Sequence, residues 1–219
     1  VKKQEVRARI EEIGIIPAVR TPSAEGARFA AEIVNRGGIP IVEITVTVPE
    51  AMEVIADLTH RIPEMIVGAG TVLDTETAQR ALDAGATFLT SPGLVLEVVE
   101  FAARSEVIVF PGALTPTEVI AAWKAGADFV KVFPCAPVGG ASYIRALKAP
   151  LPHVRLIASG GVNQQTALNF VVAGATALGI GAELIPRESV QLRQEDRILE
   201  LARRFTRIVK DARSRKPEY

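Results

Sequence analysis

The sequence predicts a single-domain α/β protein of the (βα)8 TIM-barrel class, residues 1–219, with an N-terminal capping helix. Three observations lead there. Short runs rich in Val and Ile alternate with alanine-rich stretches of helical period, as in parallel strands joined by crossovers. Gly37, Gly85, Gly126 and Gly174 each end a helical stretch just before a strand, about two βα units apart at roughly 20–25 residues per unit. The length of 219 residues, 48% apolar and 23% charged, suits one well-covered core. An open doubly wound sheet would more often carry a Gly-x-Gly-x-x-Gly turn after its first strand, and this chain has none.

The elements follow in order. Residues 2–13 form an amphipathic helix that caps the body. Ile15–Arg20 is the first strand, and the helix after it stops at Gly37, where glycine supplies a left-handed C′ position. In the second strand, Ile41–Val48, Glu43 stands between Val42 and Ile44 and shares parity with Thr45 and Thr47. It faces inward if the flanking aliphatics face the helices. Thr47-Val48-Pro49-Glu50 then reads as a helix start of the Thr-x-x-Glu kind. The third strand, Met65–Thr71, ends on Thr71, and the fourth, Thr87–Ser91, leads into Pro92. Val107–Gly112 is the fifth, followed by Thr115-Pro116-Thr117-Glu118, an N-cap threonine with a first-turn proline and a reciprocal glutamate. Phe129–Pro134, the sixth, turns Lys131 inward between Val130 and Val132. Val154–Gly160 and Thr176–Gly181 are the seventh and eighth, and a charged helix near 193–213 closes the body.

Composition excludes several function classes. Twenty-five basic and twenty-five acidic residues cancel, so no net field draws nucleic acid or an anionic membrane, and any anion site is local. A single cysteine, Cys135, precludes an intrachain disulfide framework and suits a reducing compartment. The opening residues show no signal-peptide pattern and no apolar run reaches membrane length, so a cytoplasmic location is expected. The two histidines, His60 and His153, have no zinc-ligand spacing, and neither a metal nor a cofactor is expected.

In a barrel of this kind the chemistry lies where strands end and βα loops begin. Lys131 is costly to bury as an ammonium ion, and burial favours the neutral amine, a nucleophile toward carbonyl carbon. Glu43, also inward, would supply an acid/base partner. A buried Lys131–Glu43 pair that only neutralises itself is the other reading, although such pairs add little to stability. Glycine-rich strand ends, Ser159-Gly160-Gly161-Val162-Asn163 and Gly179-Ile180-Gly181-Ala182, match the barrel position where backbone N–H groups and a short helix N-terminus hold phosphate. Tight turning is the alternative there.

Taken in order, Val42-Glu43-Ile44-Thr45, Val67-Gly68-Ala69-Gly70-Thr71, Ser91-Pro92-Gly93, Pro111-Gly112, Val130-Lys131-Val132-Phe133-Pro134 and Ser159-Gly160-Gly161-Val162 resemble the class I 2-keto-3-deoxy-6-phosphogluconate (KDPG) and 4-hydroxy-2-oxoglutarate (KHG) aldolase family. The likeness runs from Ile15 to Ile185. It implies a metal-independent barrel, usually a homotrimer, acting on a small keto acid with pyruvate as product or donor. It makes Lys131 the Schiff-base residue and Glu43 the general acid/base. Thr71, Pro92 and Phe133 match the pyruvate end, with Thr71 toward the substrate carboxylate. Gly160, Gly161 and Gly181 match the phosphate end, beside Ser159 and Ala182. Two positions depart from the family pattern: Thr47 stands where many members carry an arginine, and Ala182 where they carry a serine. Arg20, ending the first strand, is then the candidate for the missing positive charge, and a shorter or unphosphorylated substrate gains weight. The competing functions are a phosphate-binding barrel isomerase or synthase without Schiff-base chemistry, and a non-catalytic oligomeric barrel.

Overall fold

The computed structural model describes residues 2–215. Residue 1 and residues 216–219 of the expected 1–219 domain lie outside the described residues. Helix α1 (Lys3–Ile13) leads into β1 (Ile15–Val19), α2 (Ala24–Arg36), β2 (Ile41–Thr45), α3 (Ala51–Arg61), β3 (Ile66–Gly70), α4 (Thr75–Asp83), β4 (Phe88–Thr90) and α5 (Leu96–Arg104). The chain continues through β5 (Ile108–Phe110), β6 (Gly112–Ala113), α6 (Pro116–Lys124), β7 (Val130–Val132), α7 (Ala141–Lys148), β8 (Leu156–Ser159), α8 (Ala167–Val172), β9 (Ala177–Ile180), α9 (Arg187–Gln191) and α10 (Glu195–Ser214). All strand pairings are parallel, in the order β5-β4-β3-β2-β1-β9-β8-β7-β6, a nearly closed barrel. Its two end strands are separated in sequence only by Pro111.

The predicted fifth strand, Val107–Gly112, is therefore two segments. β5 pairs with β4 and β6 pairs with β7. Pro111 has no N–H to give a ladder, and its carbonyl instead accepts from Lys131 N at 2.9 Å. Strand parity divides the core in two. Val42, Ile44, Val130 and Val132 pack outward among the helices. Ile16, Ile41, Ile66, Phe88, Ile108, Phe110, Phe129 and Ile157 form a separate inner cluster toward the strand starts. Val6 and Ile10 of α1 join the inner cluster, and Lys3 reaches the buried Asp128 at 2.9 Å. That end of the barrel is filled with large side chains, so space for a ligand lies at the other.

Two predicted helix signals are corrected. Gly37 is not left-handed (φ −74°); Gly38 takes that conformation at φ 93°. Gly37 is needed for room, since a Cβ there would stand 2.5 Å from the Cβ of Ala202 on α10. Thr47 does not cap α3 either. Glu50 occupies the N-cap at φ 54° without a side-chain cap bond, and the Thr47 hydroxyl is paired with that of Thr45 at 3.0 Å. The Thr115–Glu118 box at α6 does form, with both reciprocal bonds present. Gly85, Gly126 and Gly174 adopt the left-handed conformation expected of them.

Candidate active site

Glu43 on β2 and Lys131 on β7 lie on opposite sides of the barrel and meet in its interior. Lys131 Nζ stands 3.6 Å from Glu43 Oε2, with the two residues 9% and 3% exposed. Their parity follows from the alternation that sends Val42, Ile44, Val130 and Val132 outward. The separation admits charge attraction but exceeds the length of a good hydrogen bond. A carbonyl carbon brought to Nζ would therefore have a carboxylate beside it. Phe133, two residues on and half-buried, places its ring centroid 5.7 Å from Nζ. Cys135, four residues on and fully buried, is no competing nucleophile, because burial pushes its thiol up to about 11 and the reactive thiolate is scarce at neutral pH.

Small residues make the room. Glu43 is in register with Gly68, and Thr45 with Gly70. A Cβ on Gly70 would sit 2.0 Å from Glu43 Oε1, and one on Gly68 would strike the Phe88 ring at 2.2 Å. Gly112 is in register with Lys131, and a Cβ there would meet the Pro92 carbonyl oxygen at 2.1 Å. The sequence reading missed Gly68, Gly70 and Gly112 as determinants of the site. The alternating Gly-Ala-Gly of the third strand was the available signal, since it puts both glycines on the inward parity.

The other sequence-predicted residues stand at or just after strand ends. Thr71 directly follows β3 with φ 63°, an uncommon conformation for a β-branched residue that clusters at functional sites. Pro92 is exposed just after β4. Arg20 is exposed immediately after β1 and has no ion-pair or hydrogen-bond partner among the described residues. Ser159 ends β8 and is 8% exposed, its hydroxyl filling the space that a Cβ on Gly179 would need. Gly160 and Gly161 follow at φ 82° and 88°, and a Cβ on Gly161 would lie 2.1 Å from that of Ala136. The backbone N–H groups of Gly161, Val162, Gly181 and Ala182 have no acceptor among the described residues, whereas those of Gln165 and Thr166 are taken by the Asn163 side chain. Free amides at two adjacent strand ends suit an anionic or oxygen-rich tail. Among the described residues no three His, Cys, Asp or Glu side chains gather as a metal site, and no helix is long and apolar enough to cross a membrane.

Known proteins resemble this chain over most of their length. The 2-dehydro-3-deoxy-phosphogluconate aldolase of Treponema pallidum (strain Nichols) is 31% identical over 200 residues, 91% of this chain and 95% of that protein. The KHG/KDPG aldolase of Escherichia coli (strain K12) is 29% identical over 189 residues, 86% and 89% of the two chains. The crystal structure of KDPG aldolase from Legionella pneumophila, with pyruvate captured at low pH as a covalent carbinolamine intermediate, superposes with a TM-score of 0.83 at 27% identity, covering 90% of this chain and 96% of that one. The family pattern of KDPG and KHG aldolases matches residues 6–201, and the chain belongs to that family.

Proposed function

We propose that the chain is a class I aldolase, a lyase that cleaves or forms 2-keto-4-hydroxy acids such as KDPG or KHG, with pyruvate as product or donor. The observation that carries this reading is the buried Lys131–Glu43 pair, 3.6 Å apart at the glycine-lined end of the barrel. The carbinolamine of the Legionella pneumophila enzyme supports it.

Lys131 Nζ attacks the keto carbon, and Glu43 moves the protons, through one ordered water, that turn the carbinolamine into an iminium with loss of water. The iminium then accepts the electron pair of the bond between carbons 3 and 4 as the proton leaves the 4-hydroxyl. An aldehyde departs, and an enamine of pyruvate stays on Lys131. Protonation at carbon 3 and hydrolysis release pyruvate and restore the amine. Thr71, Pro92 and Phe133 line the pyruvate end, with Thr71 and Arg20 toward the carboxylate. Ser159, Gly160, Gly161, Gly181 and Ala182 receive the distal tail through backbone amides.

Counting β5 and β6 as one strand broken at Pro111 gives a (βα)8 barrel in a single domain, residues 1–219, with α1 as its cap. It works as a homotrimer in the cytoplasm on a small-molecule keto acid.

Incubating the protein with pyruvate and borohydride tests the proposal. An irreversible adduct located on Lys131 is expected, and its absence at saturating pyruvate would favour an isomerase or synthase in which Lys131 only contacts an anion. Pyruvate release from KHG and from the two C4-epimeric phosphorylated deoxy-keto acids identifies the tail.

A further inference from the structure

Where the ladder between β4 and β5 ends, a side chain adds one more link. The register of the two strands stops at Thr90 and Phe110. Thr90 is fully buried, and its hydroxyl donates to the Phe110 carbonyl at 2.9 Å. That carbonyl belongs to the peptide bond with Pro111, which has no N–H to give to a neighbouring strand. The chain changes partner there, since β5 pairs with β4 and β6 pairs with β7. One residue on, the Pro111 carbonyl accepts from Lys131 N at 2.9 Å, and Gly112 is in register with Lys131. Gly112 also lies against the Pro92 carbonyl, where a Cβ would stand 2.1 Å from the oxygen, so a shift in the chain after β4 is passed to β6. On the other side of β4 the Thr90 carbonyl accepts from the N–H of Val72 at 3.1 Å, directly after Thr71 with its φ of 63°. Thr90 therefore stands between the chain that holds the Lys131 backbone and the chain that carries Thr71.

We propose that Thr90 is a positioning residue for the Schiff-base lysine: its hydroxyl fixes the crossing at Pro111 and, through the Pro111 carbonyl, the height of Lys131 beside Glu43. This rests on the aldolase reading above. Thr90 touches no reacting atom. Its effect reaches the reaction because an amine displaced by about 1 Å from the carbonyl carbon it attacks can lose up to about 10²-fold in rate. Thr87, just before β4, makes the same kind of bond at the covered end of the barrel, donating its hydroxyl hydrogen to the Val67 carbonyl at 3.1 Å. That bond does not lead to Lys131, so Thr87 is the internal control.

Thr90→Val keeps the shape of the side chain and removes its O–H. At saturating pyruvate, where binding does not limit, the rate at which borohydride traps the adduct on Lys131 should fall about tenfold. The final extent of trapping should match wild type, which checks the fold. Thr90→Ser keeps the hydroxyl and should restore the wild-type rate. Thr87→Val loses the corresponding bond at the other end and should keep the wild-type rate, whatever stability it loses in denaturant. Trapping at the wild-type rate in Thr90→Val overturns the inference while the aldolase reading stands. An equal slowing in Thr87→Val, or a Thr90→Ser variant as slow as Thr90→Val, does the same. Absence of any pyruvate adduct in the wild-type protein overturns the aldolase reading and this inference with it.

Discussion

Lys131 and Glu43 show what a single strand's alternation can reveal. Each is flanked by outward aliphatics, and both were legible as inward residues from that pattern alone. That they would pair was expected from the barrel count, but the 3.6 Å separation was not legible, because it depends on how β2 and β7 face each other across the nearly closed sheet. The Gly-Ala-Gly alternation marked Gly70 as inward, but its value lies in the Glu43 side chain of the neighbouring strand, which local sequence does not record. Gly70→Ala provides the test at this scale. Its Cβ would occupy the place of Glu43 Oε1, 2.0 Å away, so Glu43 must swing aside. Cleavage should slow by roughly 10²-fold, the lower range for losing a positioned acid/base. Circular dichroism should stay unchanged. Wild-type turnover in Gly70→Ala would mean that the carboxylate position seen here does not matter.

At the level of elements, the Thr-x-x-Glu pattern occurs twice and caps once. At α6 the Thr115 hydroxyl and the Glu118 carboxylate have no tertiary competitor and close the box. At α3 the Thr47 hydroxyl is claimed by Thr45, and the chain enters the helix through Glu50 in a left-handed conformation. The motif alone does not tell these cases apart, because the second is decided by Thr45, two residues before Thr47 at the end of β2. The box at α6 also sets a pH dependence. The N–H of Leu114, then the hydroxyl and N–H of Thr115, hold the Glu118 carboxyl below its ordinary value of 4.5. A carboxylate depressed by folding stabilises the fold fully above its unfolded value and loses that contribution as pH falls through the folded value. Denaturant titrations should show the largest stability gap between wild type and Glu118→Ala above about pH 4.5 and a narrowing gap below it. A gap that widens on acidification would contradict the assignment. Thr115→Ala should cost about 1 kcal/mol at neutral pH.

For the whole molecule, the alternation of runs indicated a parallel α/β sheet, and the count of eight runs anticipated its near closure. Pro111 within the run Val107–Gly112 was the available signal for the break, but the change of partner from β4 to β7 that accompanies it was not legible in an apolar run. The two ends of the barrel are specialised. One is packed with Ile and Phe and covered by α1; the other is glycine-rich and open. Asp128 ties the covered end together, accepting from Lys3 of α1 at 2.9 Å and from the Val109 N–H at 3.2 Å. Asp128→Ala leaves that buried N–H unpaired and frees α1, and it should cost about 1–3 kcal/mol in denaturant unfolding. Little change in turnover at temperatures where the variant remains folded would agree with a structural role for that end. A large loss of turnover with unchanged stability would instead place Asp128 in the chemistry.

The proposed reaction turns on a covalent bond between the Lys131 amine, beside Glu43, and a keto acid. Peptide mass mapping after pyruvate and borohydride treatment measures this directly. One reduced pyruvate adduct per chain is expected, located on Lys131 and absent from Lys131→Met. An unmodified Lys131 at saturating pyruvate, or an adduct that persists in Lys131→Met, would contradict it.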